Sequence, residues 1–346
     1  MTSAHPIDSL RPAPLIFDGN PRTGRLEHPV SEINYMDFNF CNAMDKPYPL
    51  WRRKMRFNQF HFYGLTAPDL FIGLAIVDLK WASNAFLYVF DATTGEFQEY
   101  NFIAPLGLKT HIGLTPESND SRFNNSQASF EFTSNDRGHQ LKVSIGQTLE
   151  LDARLNFPSP HQPLRLCCPA GYNGWVFTQK SAGLEVTGTL KQKGKSIDLQ
   201  ERGCWGSSDY SCGFMRRETV WKWTCINGQD QEGNPLGLNL ANGVNETGMT
   251  ENTLWYQGQT IALPPVQYRF SRTDTNSAWG VTSEDGAVDL HFIPSGKRTS
   301  KENFLMIASN FRQFFGHYSG RLRLPSGEEL EIKHQPGFAE DHYARW

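Results

Sequence analysis

Carboxylates, amides, indoles and a guanidinium crowd into one stretch of this sequence, between Glu201 and Asn252. Asp209, Glu246 and Glu251 are its candidate catalytic acids. A carboxyl group in an apolar pocket keeps its proton to higher pH and can protonate an alkene or an epoxide. Trp205, Arg217, Trp221 and Trp223 add flat apolar surface and a positive charge, a combination suited to holding a ligand and steadying charge on it. Asn239, Asn242, Asn245 and Asn252, reached through Gly243 and Gly248, form an amide-rich loop able to present an acid over a barrel mouth. The same types have plainer uses. Asn tolerates left-handed backbone and bonds locally in ordinary turns, and an Arg beside indoles serves to stack as well as to bind.

Position on a strand decides which of these side chains meet. A strand over 214–226 puts Met215, Arg217, Thr219, Trp221, Trp223 and Cys225 on one face, with Arg216, Glu218, Val220, Lys222 and Thr224 on the other. Burial of two indoles predicts that the first face turns inward and takes Arg217 with it. At the chain end, Glu340 and His342 stand two apart, so on a strand they share a face and can hydrogen-bond a common partner. His342 joins the candidate ligand contacts. A terminus this rich in aromatic and charged residues is expected to dock rather than fray.

The elements that must position them read as strands. Thirteen per cent of residues are aromatic, and 30 Gly and 20 Pro supply frequent turns. Aromatic and β-branched residues fit a pleated, half-buried surface. Period-two alternation recurs between turn signals such as Asn135-Asp136-Arg137-Gly138, Lys193-Gly194, Asp285-Gly286 and Pro325-Ser326-Gly327, which predicts consecutive antiparallel hairpins and no long amphipathic helix. The chain also repeats itself. Phe60-His61-Phe62-Tyr63, Ile72-Gly73-Leu74-Ala75 and Asn84-Ala85-Phe86-Leu87-Tyr88 are echoed, in order, by Trp221-Lys222-Trp223-Thr224, Leu236-Gly237-Leu238-Asn239 and Asn252-Thr253-Leu254-Trp255-Tyr256. Offsets of about 165 positions, close to half of the chain, predict a duplicated β unit. Prolines 158, 160, 163 and 169 mark the joint, so the expected domains are 1–162, with a proline-rich lead-in, and 163–346. The expected fold class is all-β, two tandem antiparallel barrels or sandwiches.

Several function classes drop out. A net charge of −3 gives no electrostatic footprint for nucleic acid. No apolar run approaches the roughly 20 residues needed to span a bilayer. The six Cys include no Cys-x-x-Cys pair, and residues 1–10 lack a basic-then-apolar signal pattern, so free thiols in a reducing cytoplasm are expected. No phosphate loop, Gly-x-Gly-x-x-Gly, His-Glu-x-x-His, Gly-x-Ser-x-Gly or zinc-spaced Cys/His group occurs. The expectation is a protein with no metal and no cofactor, leaving acid catalysis on carboxylates as the enzymatic route.

The runs from Trp205 to Ser211, Arg216 to Trp223, Gly237 to Gly248 and Glu251 to Trp255, with the closing Glu340-Asp-His-Tyr-Ala-Arg-Trp346, resemble the bacterial family named domain of unknown function 2804. That family is grouped with the calycins, and its wider relatives include carotenoid hydratases, tocopherol cyclases and cofactor-free fungal cyclases. The resemblance implies tandem lipocalin-like barrels. It implies no settled activity and transfers no catalytic residue. Three functions compete: binding of a hydrophobic molecule such as a lipid, isoprenoid or polyketide in a barrel cavity; cofactor-free hydratase, cyclase or isomerase chemistry on such a ligand; and a non-catalytic interaction scaffold. A lone carboxylate lining an open cavity favours the enzyme, an uncharged cavity the carrier, and no cavity the scaffold.

Overall fold

The computed structural model describes residues 12–246, 248–304 and 307–345, so the chain start and the closing Trp346 lie outside the described residues. Alternation builds the sheets as expected. Strand Ala128–Asn135 buries Ala128, Phe130 and Phe132 while Glu131 and Thr133 face water; its hairpin partner Gly138–Ile145 buries Leu141, Val143 and Ile145 and exposes Lys142 and Ser144.

Two large antiparallel sheets of one plan result, beside a two-stranded ribbon of Ile16–Phe17 and Asn20–Pro21. In the larger, Asn58–Thr66, Leu70–Asp78, Ala82–Asp91 and Glu96–Pro105 form a meander. A second run passes through Thr110–Ile112, Asp120–Asn124, Ala128–Asn135, Gly138–Ile145, Leu149–Asn156 and Gly174–Gln192 to Trp205–Gly213. That last strand pairs with the first, Asn58–Thr66. The smaller sheet repeats the plan. Glu218–Gln229, Pro235–Asn242, Thr253–Tyr256 and Gln259–Ala262 make the meander. Val266–Arg269, Trp279–Ser283, Val288–Phe304, Ile307–Arg323 and Glu329–Arg345 then return, and Glu329–Arg345 pairs with Glu218–Gln229. Thr110–Ile112 curls against Leu70–Asp78, and Val266–Arg269 against Pro235–Asn242. The expected pair of tandem barrels is what forms. The three repeated sequence stations occupy the first three strands of the two meanders, which explains the echo.

Sheet membership changes between Gly213 and Glu218, while the proline-rich joint lies inside the larger sheet, between Leu149–Asn156 and Leu164–Ala170. One short helix, Leu50–Arg56, was not foreseen from the sequence. The core of each barrel is built from its own side chains, among them Tyr63, Phe130, Phe132, Trp175 and Phe177 in the first, and Trp279, Phe292, Phe314 and Tyr318 in the second. Burying each such ring contributes about 1.5–3 kcal/mol.

A third apolar cluster joins the outer faces of the two sheets. Phe71, Tyr88 and Phe90 from the first meet Trp223, Phe315 and Phe338 from the second. This seam needs missing side chains. A Cβ on Gly237 would stand 2.2 Å from the backbone of Ala182, and one on Gly183, at φ +70°, 2.6 Å from Gly237 N. The backbones cross there because neither residue has a side chain.

Candidate active site at the seam

The seam face takes alternate residues of strands from both sheets. Trp205, Ser207 and Asp209 come from Trp205–Gly213, and Trp221, Trp223 and Cys225 from Glu218–Gln229. The core face of Trp205–Gly213 instead carries Tyr210 and Cys212. Phe338, Glu340 and His342 share the seam face of Glu329–Arg345 while Ala339 points into the second barrel. The Trp-bearing face therefore turns inward, but against the other sheet rather than into its own barrel. Arg217 does not accompany it. The strand begins at Glu218, so Arg217 sits in the bend before it, exposed to water. The neighbouring Arg216 is the engaged one: its Nε lies 2.9 Å from Glu246 Oε1 and its Nη2 donates to Gly243 O at 2.8 Å.

Two polar groups lie within the seam. The first centres on Lys180, whose Nζ is 2.6 Å from Glu251 Oε1 and 2.8 Å from Asp209 Oδ2. Burial disfavours the ammonium, but the two carboxylates outweigh it and hold the Lys180 pKa above the usual lysine value. Asn239 ties this group to an indole: its Oδ1 accepts from Trp223 Nε1 at 2.7 Å and its Nδ2 donates to Glu251 O at 3.0 Å. Lys180 Nζ also stands 5.9 Å from the Trp223 ring centre. This group spans both sheets, since Lys180 and Asp209 belong to the larger and Trp223 and Asn239 to the smaller.

The second group centres on Glu340, 8% exposed. Its Oε2 accepts from Trp221 Nε1 at 2.9 Å and its Oε1 from Gln313 Nε2 at 2.5 Å. Gln313 is oriented in turn by the Tyr88 hydroxyl, which donates to its Oε1. Both carboxyl oxygens thus meet neutral donors, unlike those of Asp209, Glu246 and Glu251, which meet cations. Burial raises the Glu340 pKa to about 7; the Trp221 and Gln313 bonds and Lys180 act against the rise, and Asp209 adds to it. Nearby, Arg298 pairs with Glu99 at 2.6 Å and lies 4.3 Å from the Phe86 ring centre, 4.9 Å from Phe311 and 5.6 Å from Tyr88. His342 packs at a tilt on Trp221, ring centres 4.2 Å apart, and meets Ser309 Oγ through Nε2 at 3.0 Å. Burial, with the Arg298 charge, lowers its pKa to about 3, so the imidazole is neutral at pH 7.

The sequence candidates divide accordingly. Asp209, Glu251, Trp223 and Asn239 gather at Lys180, and Trp221 and His342 gather at Glu340. Trp205 is half-buried at the start of its strand. Glu246 accepts from Gly171 N at 3.0 Å besides its Arg216 pair, and Asn245 reaches Cys168 Sγ at 3.7 Å. Asn252 is fully buried and its amide is consumed by the backbone, accepting from Ala241 N and donating to Pro264 O, each at 2.7 Å. Sequence reasoning did not single out Lys180, Gln313, Tyr88 or Arg298. The pairing of Glu340 with His342 two positions on was the available signal for the second group. No group of three or more His, Cys, Asp or Glu among the described residues is arranged to hold a metal ion.

Half-buried rings border both groups: Phe62, Phe86 and Trp221 pack on the edge of the apolar cluster. A protonatable carboxyl flanked by aromatic surface, with a guanidinium close by, can donate a proton to an apolar substrate and take one back.

Solved structures similar to this chain include the following two. One is a protein assigned as AttH from Nitrosomonas europaea, 14% identical, with a TM-score of 0.49 over 84% of this chain and 92% of that one. The other is kievitone hydratase from Nectria haematococca, 10% identical, with a TM-score of 0.50 over 83% of this chain and 88% of that one. Comparison with curated proteins by sequence gives no match. The chain belongs to the family described as domain of unknown function DUF2804, which it matches over residues 11–346.

Proposed function

From a family and a fold without an assigned reaction, we propose that the seam is a site for a hydrophobic small molecule, and that Glu340 exchanges a proton with it in a cofactor-independent addition of water or isomerisation. The observation that carries this reading is the Glu340 carboxyl itself: buried, held on both oxygens by the neutral donors Trp221 and Gln313, and bordered by aromatic rings. A general acid works best when its pKa lies near the working pH. Asp209 and Glu251 suit that role less well, because both are engaged by the Lys180 ammonium. In this scheme Glu340 protonates an alkene carbon and Trp221 and Phe86 face the developing cation; attack by water, whose proton passes to the Glu340 carboxylate, or return of a neighbouring C–H proton to that carboxylate completes the reaction and restores the acid. Likeness to a hydratase supports the reading only at the level of fold, where one scaffold hosts many functions.

The test is incubation in D₂O with a panel of isoprenoid and phenolic alkenes, read by mass spectrometry. Glu340→Gln should abolish deuterium incorporation or water addition while leaving ligand retention in place. Turnover that survives Glu340→Gln would refute the assignment. A second reading, a carrier without chemistry, is favoured by the half-buried Phe62, Phe86 and Trp221 on the seam edge; retention without any mass change in the ligand would select it.

A further inference from the structure

The larger barrel leaves large apolar side chains in water at one end. Met44, Leu50, Trp51, Trp81, Ile103, Leu106 and Leu108 are 56 to 74% exposed, and they make up seven of the twelve exposed large apolar residues among those described. They come from three segments that the fold gathers. The helix Leu50–Arg56 leads directly into strand Asn58–Thr66, whose Gln59 pairs with Asp78 at the end of the next strand. The turn after Asp78 carries Lys80 and Trp81, and Lys80 Nζ donates back to Gln59 Oε1 at 2.9 Å. The third segment is stitched to that turn: Leu106 N donates to Trp81 O at 2.8 Å, and Gly107 lies against Asp78.

Charge distinguishes this end from an ordinary sticky patch. Across 42–56, 79–82 and 103–111 the sequence has Lys46, Arg52, Arg53, Lys54, Arg56, Lys80 and Lys109 against one acid, Asp45. Arg53 is occupied by the carbonyls of Tyr48 and Phe38, and Lys80 by Asp78. Lys46, Arg52, Lys54, Arg56 and Lys109 are exposed. Beside Leu108, a shallow depression of about 450 Å³ is lined by Lys109, His111 and Arg122 with Thr110, Asn124, Asn125 and Ser126. The whole molecule is net negative, so this local excess of cations runs against its overall charge. Protruding Trp and Leu ringed by Lys and Arg are the chemistry that seats a protein in the headgroup layer of an anionic bilayer, rings at the interface and cations on phosphate.

We propose that this end of the larger barrel docks on anionic membrane surfaces, with Trp51, Trp81, Leu106 and Leu108 as the inserting residues. The docking is peripheral; the strands remain outside the bilayer. It stands on surface chemistry alone and holds whether or not Glu340 is catalytic.

Flotation of the purified chain with vesicles tests it. Vesicles of phosphatidylcholine with roughly 30% phosphatidylglycerol should carry the protein upward at low salt, and pure phosphatidylcholine vesicles should carry much less. The double variant Trp81→Ser/Leu106→Ser should lose most of the binding. Arg52→Glu/Lys54→Glu should weaken it by more than tenfold, since each cation near such a surface is worth about fivefold. All four positions are exposed, and an unchanged far-ultraviolet spectrum and melting temperature confirms that the variants fold. Failure of the wild-type chain to float at low salt overturns the proposal, as does undiminished flotation of the Ser variant. A dimer in light scattering that becomes monomeric in that variant, without flotation of the wild type, would assign the patch to a contact between copies.

Discussion

Replacing Glu340 by Gln should change how stability depends on pH more than it changes stability at any one pH. In the folded chain this carboxyl titrates at about 7, against an ordinary value of 4.5. A carboxyl whose pKa is raised by folding favours the folded state while it is neutral in both states, that is, below its unfolded pKa. As pH rises from 4.5 towards about 7, the unfolded chain ionises it freely while the folded chain resists, and stability falls. One pH unit corresponds to about 1.4 kcal/mol, so the full interval amounts to about 3 kcal/mol. Glu340→Gln has no such titration. Its amide does bring an N–H towards either Trp221 Nε1–H or the Gln313 amide, a mismatch costing about 1–3 kcal/mol at every pH. Urea unfolding curves at intervals from pH 4.5 to pH 8.5 separate the two effects, because the mismatch is constant and the ionisation is not. The variant should start below the wild type in acid and gain on it by about 3 kcal/mol as pH rises, with little change above pH 8. Parallel pH profiles for the two proteins would refute the neutral, buried carboxyl and with it the proposed acid.

Three other substitutions probe the seam. Lys180→Met strands the carboxylates of Glu251 and Asp209 and should cost about 3–5 kcal/mol in urea unfolding, much of it recovered in Lys180→Met/Glu251→Gln. Gly237→Ala drives a Cβ into the Ala182 backbone, so the sheets must part; a melting temperature lowered by several degrees is expected, and cleavage by protease between 213 and 218 should quicken. Arg217→Ala should leave stability within about 0.5 kcal/mol of wild type, whereas Arg216→Ala, which unties Glu246 and Gly243, should cost about 1–3 kcal/mol in the same assay.

Local alternation made the hairpins and the duplicated plan legible, because each half-buried strand writes its inside face in every second residue. The same rule explains the failures. Gly174–Gln192, Val288–Phe304 and Glu329–Arg345 are far longer than the short runs their sequences suggest, and each carries an extra residue at a register shift, after Ser181, after Pro294 and after Ile332. An extra residue at a bulge exchanges the two faces, so the period-two pattern breaks there and the strand reads as two pieces. Lys180 lies just before such a shift, and its inward aim could not be read from a residue type that normally faces water. Arg217 failed for the complementary reason. Its parity with Trp221 and Trp223 is right, but the pattern gives no sign that the strand begins one residue later. Glu340 and His342 were placed on one face correctly, yet the partners Gln313 and Tyr88 come from distant strands, and no local pattern encodes contacts between two sheets.

The pairing of each sheet's first strand with its last sets an order for synthesis. As the ribosome makes the larger barrel, Asn58–Thr66 emerges early and keeps one edge open until Trp205–Gly213 appears, because that is the strand which covers it. Such late, long-range closure is slow, and an open edge is an invitation to pair with another nascent chain. Closure at Gly213 nevertheless precedes every strand of the second sheet. The strand that closes the first barrel therefore leaves the ribosome ahead of every strand of the second. The second barrel then assembles on a completed surface, with the Gly183–Gly237 contact and the Lys180–Glu251 ion pair made only when the two meet.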